Sequence, residues 1–285
     1  MASMRDIKRR KDSIQSTGQI TKAMKLVSTV KLQKAKGRAE NTKPYFDLMY
    51  ETVQSILAKS GHINHKYLKE SESDKKAVIV VTANRGLAGG YNSNITRMII
   101  DEGFTKENTV VYAVGKKGRE LLERKGYEIK ADYSEAINDP IYKDAKEICD
   151  DVLSAFADGE VGEIYLAYTV FKNTVVHEPQ LIRLLPVEAD DAAHETDGSE
   201  ALMTYEPSEE EALDMIIPKY VCSLVYGALI ESVASENGAR MQAMDSATSN
   251  AEEMISSLEL AYNRARQGAI TQELTEIISG AEALK

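Results

Sequence analysis

Small and apolar residues recur along the C-terminal part of the chain at alternating steps of four and three. The series is Ile230, Ala234, Asn237, Met241, Met244, Thr248, Ala251, Ile255, Leu258, Tyr262, Ala265 and Ala269. A seam sustained over more than five heptads predicts a long α-helix in a coiled coil. Many of its positions are Ala, Thr or Asn, which lets two helix backbones approach closely. No proline follows Pro218. The stretch from Lys219 to Lys285, wholly helical, would reach about 100 Å at ~1.5 Å per residue.

The N-terminal part has its own helical pattern. Ile7, Ile14, Ile20, Met24, Val27 and Val30 fall on one narrow stripe, with Lys and Arg between them and no proline before Pro44. A stripe that narrow calls for a slim partner rather than a broad core. The pattern predicts a helix over about 1–57.

Between the two ends, over about 75–187, the period changes. AVIVV at 77–81 reads as a buried strand running into the glycine-rich turn RGLAGG at 85–90. NTVVYAVGKKGRELLERKGY repeats the plan of strand, glycine and helix, PIYKDAKEICDDVLSAF predicts a further helix, and GEIYLAYTVF a further strand. NTVVHEPQLIRLLP reads as a closing strand or hairpin. Strands alternating with helices of this length define βαβ units, hence a mainly parallel sheet covered on both faces. A compact α/β unit of this kind can reverse the chain, so that the two terminal helices lie antiparallel.

Charge sharpens the picture. The formal net charge is −10, yet residues 1–43 hold twelve Lys or Arg against Asp6, Asp12 and Glu40. The C-terminal helix carries more acids than bases, so the two ends suit each other. Residues 188–211 hold ten acidic residues and no Lys or Arg; they read as a solvated loop or short hairpin, or as a regulatory contact surface. Cys149 and Cys222 are the only cysteines of the chain, too far apart in sequence for a disulfide scaffold or a metal knuckle, and are expected as reduced thiols. His62 and His65 have ligand-like spacing in a loop-like stretch without acids or cysteines nearby, and His177 and His194 are isolated. No apolar run approaches the ~20 residues of a membrane span. The basic N-terminus has no apolar stretch behind it, so it is not a secretory signal, and Asp6 and Asp12 speak against a transit peptide.

Enzymatic readings fail in their details. Gly86, Gly89 and Gly90 follow a strand, where phosphate sites begin, but not at G-x-G-x-x-G spacing. A P-loop needs Lys-Ser or Lys-Thr after its second glycine, and here Tyr91 and Asn92 follow. The turn reads as tight packing at a helix start. Neither a catalytic constellation nor a cofactor or metal site is expected. Nucleic acid or an anionic membrane would suit residues 1–43 alone, but the acidic C-terminal helix would repel phosphates.

Three blocks, ITKAMKLVSTVKLQKAK at 20–36, NRGLAGGYN at 84–92 and the long run from ASENGARMQAM at 234 to GAEAL at 284, together resemble the gamma subunit of bacterial F-type ATP synthases. The central block departs from that family's common motif, with Asn84 in place of an aspartate and Ala88 in place of a cysteine. The two-cysteine insertion of chloroplast relatives is absent.

The resemblance implies an antiparallel coiled coil of N- and C-terminal helices flanking a central Rossmann-like α/β domain. The divisions would be 1–57, 75–187, an acidic loop at 188–211, and 212–285. It further implies a central-stalk rotor that couples ion flow to ATP synthesis or hydrolysis on neighbouring beta subunits, without an active site of its own. Expected partners are three alpha and three beta subunits, epsilon and the ring of c subunits, with no nucleic acid. The expected location is the cytoplasmic face of the bacterial membrane, peripherally, with the membrane met only through the complex.

By the same resemblance, Arg266, Gln267 and Thr271 would meet a loop of beta, with Arg264 and Glu273 beside them. Met24 and Lys25 would face the acidic loops of beta, and Arg240 and Glu276 would support the same machinery. The competing readings are a nucleotide-binding Rossmann-like enzyme and a free-standing coiled-coil adaptor that dimerises through its seam.

Overall fold

A computed structural model describes residues 4–59, 65–69, 73–187 and 208–284. His62, His194 and positions 188–207 of the acidic stretch lie outside the described residues. The chain divides into two compact units: Met1–Ser28 with Met241–Lys285, and Thr29–Arg240. The terminal helices, α1 (Met4–Lys59) and α5 (Glu209–Ala283), contribute to both.

The larger unit holds a five-stranded sheet. In chain order its elements are β1 (Lys76–Val81), α2 (Tyr91–Asp101), β2 (Thr109–Val114), α3 (Lys116–Arg124), β3 (Glu128–Asp132), α4 (Tyr142–Ala157), β4 (Glu163–Phe171) and β5 (His177–Leu185). The strands lie in the order β3-β2-β1-β4-β5. The β1–β2, β1–β4 and β2–β3 pairs are parallel, while β5 closes antiparallel on β4. The closing hairpin is as the sequence reads.

β3 is an addition. Its EIKAD offers only Ile129 and Ala131 as apolar residues, because an edge strand half open to solvent needs no apolar run. After their first residues, Lys76 and Thr109, β1 and β2 are apolar because helices cover both faces of the sheet. Val78 and Val80 of β1 pack with Ile95 and Ile99 of α2 and Leu122 of α3. Ala77, Ile79 and Val81 face the other way, into a core with Ile148 and Val152 of α4, Val53 and Ile56 of α1, and Leu213, Ile217 and Val225 of α5.

α5 opens with a capping arrangement in which the Glu211 N–H donates to Ser208 Oγ at 3.2 Å. Glu210 and Glu211 in the first turn suit the positive end of the helix dipole. A stretch within Glu210–Glu282 is long and apolar enough to cross a membrane by composition, with a mean hydropathy of 1.5. More than half of it, 56%, is buried within the chain, which accounts for its apolar character. Reading the longest clean apolar run alone overlooked it.

The smaller unit is an antiparallel helix pair. Lys11 Nζ meets Glu259 Oε1 at 2.7 Å, the Thr21 and Thr248 hydroxyls lie 2.8 Å apart, and Lys25 Nζ meets Asp245 Oδ1 at 2.5 Å. Residue numbers on one helix rise as those on the other fall. On α5 the inward positions Met241, Met244, Thr248, Ala251, Ile255, Leu258, Tyr262, Ala265 and Ala269 follow the heptad seam.

On α1 the apolar stripe needs correcting. Ile7, Ile14 and Met24 turn inward in part, but Ile20, Val27 and Val30 are 58%, 58% and 66% exposed. The inward series in this unit is Met4, Ile7, Lys11, Ile14, Gly18, Thr21, Met24, Lys25 and Ser28. The reason is size. A Cβ on Gly18 would stand 3.3 Å from the Ala251 Cβ, so the backbones are too close for a large side chain there.

Candidate functional site

In a doubly wound sheet a ligand binds outside the carboxyl ends of the strands, where the strand order reverses. Here β1, β2 and β3 step one way and α4 carries the chain back to β4 on the other side of β1, so the crevice opens between the ends of β1 and β4.

That crevice is filled by the chain's own α5. The Tyr91 hydroxyl, buried at the start of α2, donates to the Ser232 carbonyl at 3.2 Å. Ser235 Oγ donates to the Thr169 carbonyl of β4 at 3.0 Å. Arg240 Nε and Nη2 both donate to the Gly86 carbonyl at 3.4 Å, and Nη2 pairs with Glu236 at 2.7 Å. At Gly238 the approach is closest: a Cβ there would lie 2.6 Å from His177 Cε1 on β5.

The glycine-rich turn serves this packing. Leu87 and Gly89 both take positive φ, 62° and 56°, and Asn92 Oδ1 accepts the Ala83 N–H at 2.9 Å. Burial lifts the Tyr91 phenol far above its usual range, with the Glu236 charge adding to it, so Tyr91 is a fixed donor. Burial also pushes the His177 imidazole down, opposed by a backbone group of Thr174. The sequence reading of RGLAGG as tight turns is correct for the backbone but missed the α5 seat. The small residues Ser232, Ser235 and Gly238 on one face of α5 were its signal.

The other titratable groups serve packing. His65 is buried, with Nε2 3.2 Å from Asp214 Oδ1. Cys149 and Cys222, distant in sequence, are buried free thiols in contact; hydrogen bonding to Cys222 and burial push Cys149 well up. Among the described residues no group of His, Cys, Asp and Glu is arranged to hold a metal ion. The open hollow beside the ends of β2 and β3, about 530 Å³, is lined by Lys116, Arg119, Asp132, Ser134, Asp144 and Glu147 among others. Within it Arg119 is taken up by Asp132.

The expected contact residues fall into three places. Arg240 is inside the larger unit, 9% exposed and committed to Glu236 and Gly86, so its guanidinium supports the crevice. Met24 and Lys25 lie half-buried in the helix pair, Lys25 on Asp245. Arg264, Arg266, Gln267, Thr271, Glu273 and Glu276 are all exposed near the end of α5.

Extending the antiparallel pairing places Arg266 opposite Met4, about 30 Å along the helices from Lys25 at ~1.5 Å per residue. α5 therefore runs on past its partner. From Ile270 to Gly280 every residue is exposed, including Ile270, Leu274, Ile277 and Ile278.

Two stripes mix polar and apolar residues there: Arg266, Ile270, Glu273 and Ile277 alternate, while Gln267 and Thr271 are followed by Leu274 and Ile278. Thr271 Oγ1 donates back to the Gln267 carbonyl at 2.9 Å, and Gln272 Nε2 to Glu276 Oε1 at 3.0 Å. Among the described residues Arg264, Arg266 and Glu273 form no ion pair.

The larger unit is thus an α/β sheet whose ligand crevice is taken up by its own α5, and the smaller is an antiparallel helix pair in which α5 continues beyond the described start of α1. The family profile of ATP synthase matches residues 3–284. The ATP synthase gamma chain of Lachnoclostridium phytofermentans is 68% identical over 290 residues, covering all of both chains. That of Alkaliphilus metalliredigens is 45% identical over 99% of each. The central stalk and c-ring structure of the Tetrahymena thermophila mitochondrial ATP synthase contains a chain that superposes with a TM-score of 0.60 at 26% identity, over 80% of this chain and 99% of that one. The chain belongs to the ATP synthase gamma chain family.

Proposed function

We propose that this chain is the rotating central shaft of an F-type ATP synthase, transmitting free energy between an ion-driven membrane ring and the nucleotide sites of beta subunits. Three alpha and three beta subunits would surround the helix pair, and epsilon and the ring of c subunits would meet the α/β unit. The assembly would stand on the cytoplasmic face of the bacterial membrane, with this chain held there by the complex. The working divisions are those read from the sequence, 1–57, 75–187, 188–211 and 212–285, with the flanking helices themselves running Met4–Lys59 and Glu209–Ala283.

One observation carries the reading: the helix pair satisfies itself along its seam and leaves several outward cations without an ion pair among the described residues. Lys11 and Lys25 pair with Glu259 and Asp245. Lys8, Arg9, Arg10 and Lys22 are exposed with no ion pair among the described residues. A surrounding partner with acidic loops suits that surface. Exposed pairs are worth only about 0–1 kcal/mol each, so such contacts can break and re-form as a shaft turns.

Arg264, Arg266, Gln267, Thr271 and Glu273 would supply directional contacts to beta near the tip. Met24 and Lys25 would do so farther along the pair, Glu276 would orient Gln272, and Arg240 would support the shaft from inside the larger unit. The seam that an adaptor would offer to a second copy is taken by α1, and the crevice that an enzyme would offer to a nucleotide is taken by α5.

The test is co-expression with the alpha and beta subunits of the same organism, followed by native mass and ATPase assay. A three-to-three-to-one particle is expected, with ATPase activity falling when residues 264–285 are deleted. A chain that purifies alone as a homodimer, ignoring alpha and beta, overturns the reading.

A further inference from the structure

A shaft turned at one place and read at another must not slip at the joint between them. In the larger unit that joint is the crevice between β1 and β4, and its contacts are unlike those of an apolar core. Apolar side chains resist separation but give no fixed angle, since dispersion and burial are non-directional. Hydrogen bonds to backbone carbonyls and a steric stop against a ring are directional.

We propose that Tyr91, Ser235 and the His177–Gly238 approach form a torque clamp, positioning residues that fix the angle of α5 about its own axis against the sheet. The proposal rests on the rotor reading above. Tyr91 holds the Ser232 carbonyl from the α2 side, and Ser235 holds the Thr169 carbonyl from the β4 side. His177 stands against Gly238 from β5, with Phe171 beside its ring. Three separate elements thus touch three residues of α5 within two helical turns. Rotation of α5 in either direction breaks a hydroxyl–carbonyl bond or drives the next side chain into the His177 ring. A Cβ at position 238 would lie 2.6 Å from the ring, so any residue other than glycine there must displace His177.

The experiment uses the complete complex in sealed vesicles and measures ATP hydrolysis together with a membrane-potential dye, so that the identity of the coupling ion does not matter. Two variants are compared with the unsubstituted complex. Gly238→Ala places a methyl group against His177. The double variant Tyr91→Phe, Ser235→Ala removes both hydroxyls with little change in volume.

Each is expected to hydrolyse ATP within about twofold of the unsubstituted rate while the potential reached per ATP falls about threefold or more. Adding His177→Ala to Gly238→Ala makes room for the methyl group and is expected to restore part of the loss. A merely structural role would lower assembly and hydrolysis together and leave the ratio unchanged. If Gly238→Ala does not assemble, the hydroxyl pair decides the matter on the same ratio. Equal potential per ATP in the variants and the parent overturns the clamp. A parent complex that hydrolyses ATP and makes no potential overturns the rotor reading instead.

Discussion

At the scale of single residues, the buried polar groups of the larger unit make stability depend on pH in opposing directions. Burial holds His177 below its usual value of about 6.5, so the unfolded chain binds the proton first as pH falls. Its contribution is complete above about 6.5 and is lost as pH falls through that value towards the lowered native one. Glu231 runs the other way: burial raises its carboxyl, with Lys43 opposing, so its contribution is greatest below the usual carboxylate range and is lost as pH rises through the raised native value. Replacing His177 with Gln removes the first effect and keeps the second. Between pH ~7.5 and ~5.5 the urea midpoint of the parent should therefore fall more than that of His177→Gln. Parallel midpoints would show that the imidazole titrates as if free. None of this was legible in sequence, where His177 stood as an isolated histidine; only the antiparallel return of β5 brings it to Gly238. Arg240 hid for a related reason. A charged residue beside a heptad seam reads as surface, and its burial depends on Glu236 one turn back and on a carbonyl 154 positions away.

Among the elements, the two long helices show what a hydrophobic pattern can and cannot say. The α5 seam was legible position by position because its four-three alternation persists through small residues as well as large ones. The α1 seam was legible only at Ile7, Ile14 and Met24, because Gly18, Thr21, Lys25 and Ser28 are chosen for size and hydrogen bonding rather than apolarity. Ile20, Val27 and Val30 drew the eye to positions that are exposed. β3 was missed for a similar reason, its alternation carrying only two apolar residues. The close approach at Gly18 gives a graded prediction. Gly18→Ala meets the Ala251 methyl at 3.3 Å, and the tight contact is offset by a gain of up to about 1 kcal/mol in helix propensity, so stability should change little. Gly18→Leu cannot be housed without parting the helices and should cost about 1–3 kcal/mol. Hydrogen exchange of amides 244–262 in the purified chain reads this directly: faster exchange in the Leu variant and not in the Ala variant is expected. Equal protection in both would mean the helices are not packed this closely.

For the whole molecule the decisive property is the segregation of charge, which the sequence displays and the structure apportions. The positive excess of residues 1–43 was expected to serve pairing of the two ends, and it does so at Lys11 and Lys25. Most of the remaining cations of the helix pair face outward and are available to an outside partner. A machine that turns needs such contacts to be numerous and weak, because at an effective dielectric near that of water a charge pair at 4 Å is worth only about 1 kcal/mol. Met24 tests this limit. It stands half-buried beside Lys25, whose ammonium is already held by Asp245. Met24→Lys adds a second cation beside a lysine that Asp245 already holds, so on the rotor reading its charge is met by the surrounding acidic loops. One contact then becomes stronger than its neighbours and acts as a brake at one angle. The expected outcome is an assembled complex whose ATP-driven ion pumping falls by about twofold or more relative to hydrolysis, with part of the loss recovered at high salt as the added pair is screened. Pumping and hydrolysis that fall together, unaffected by salt, would place the damage in packing of the helix pair. Unchanged pumping would mean that no acidic surface passes this level of the shaft.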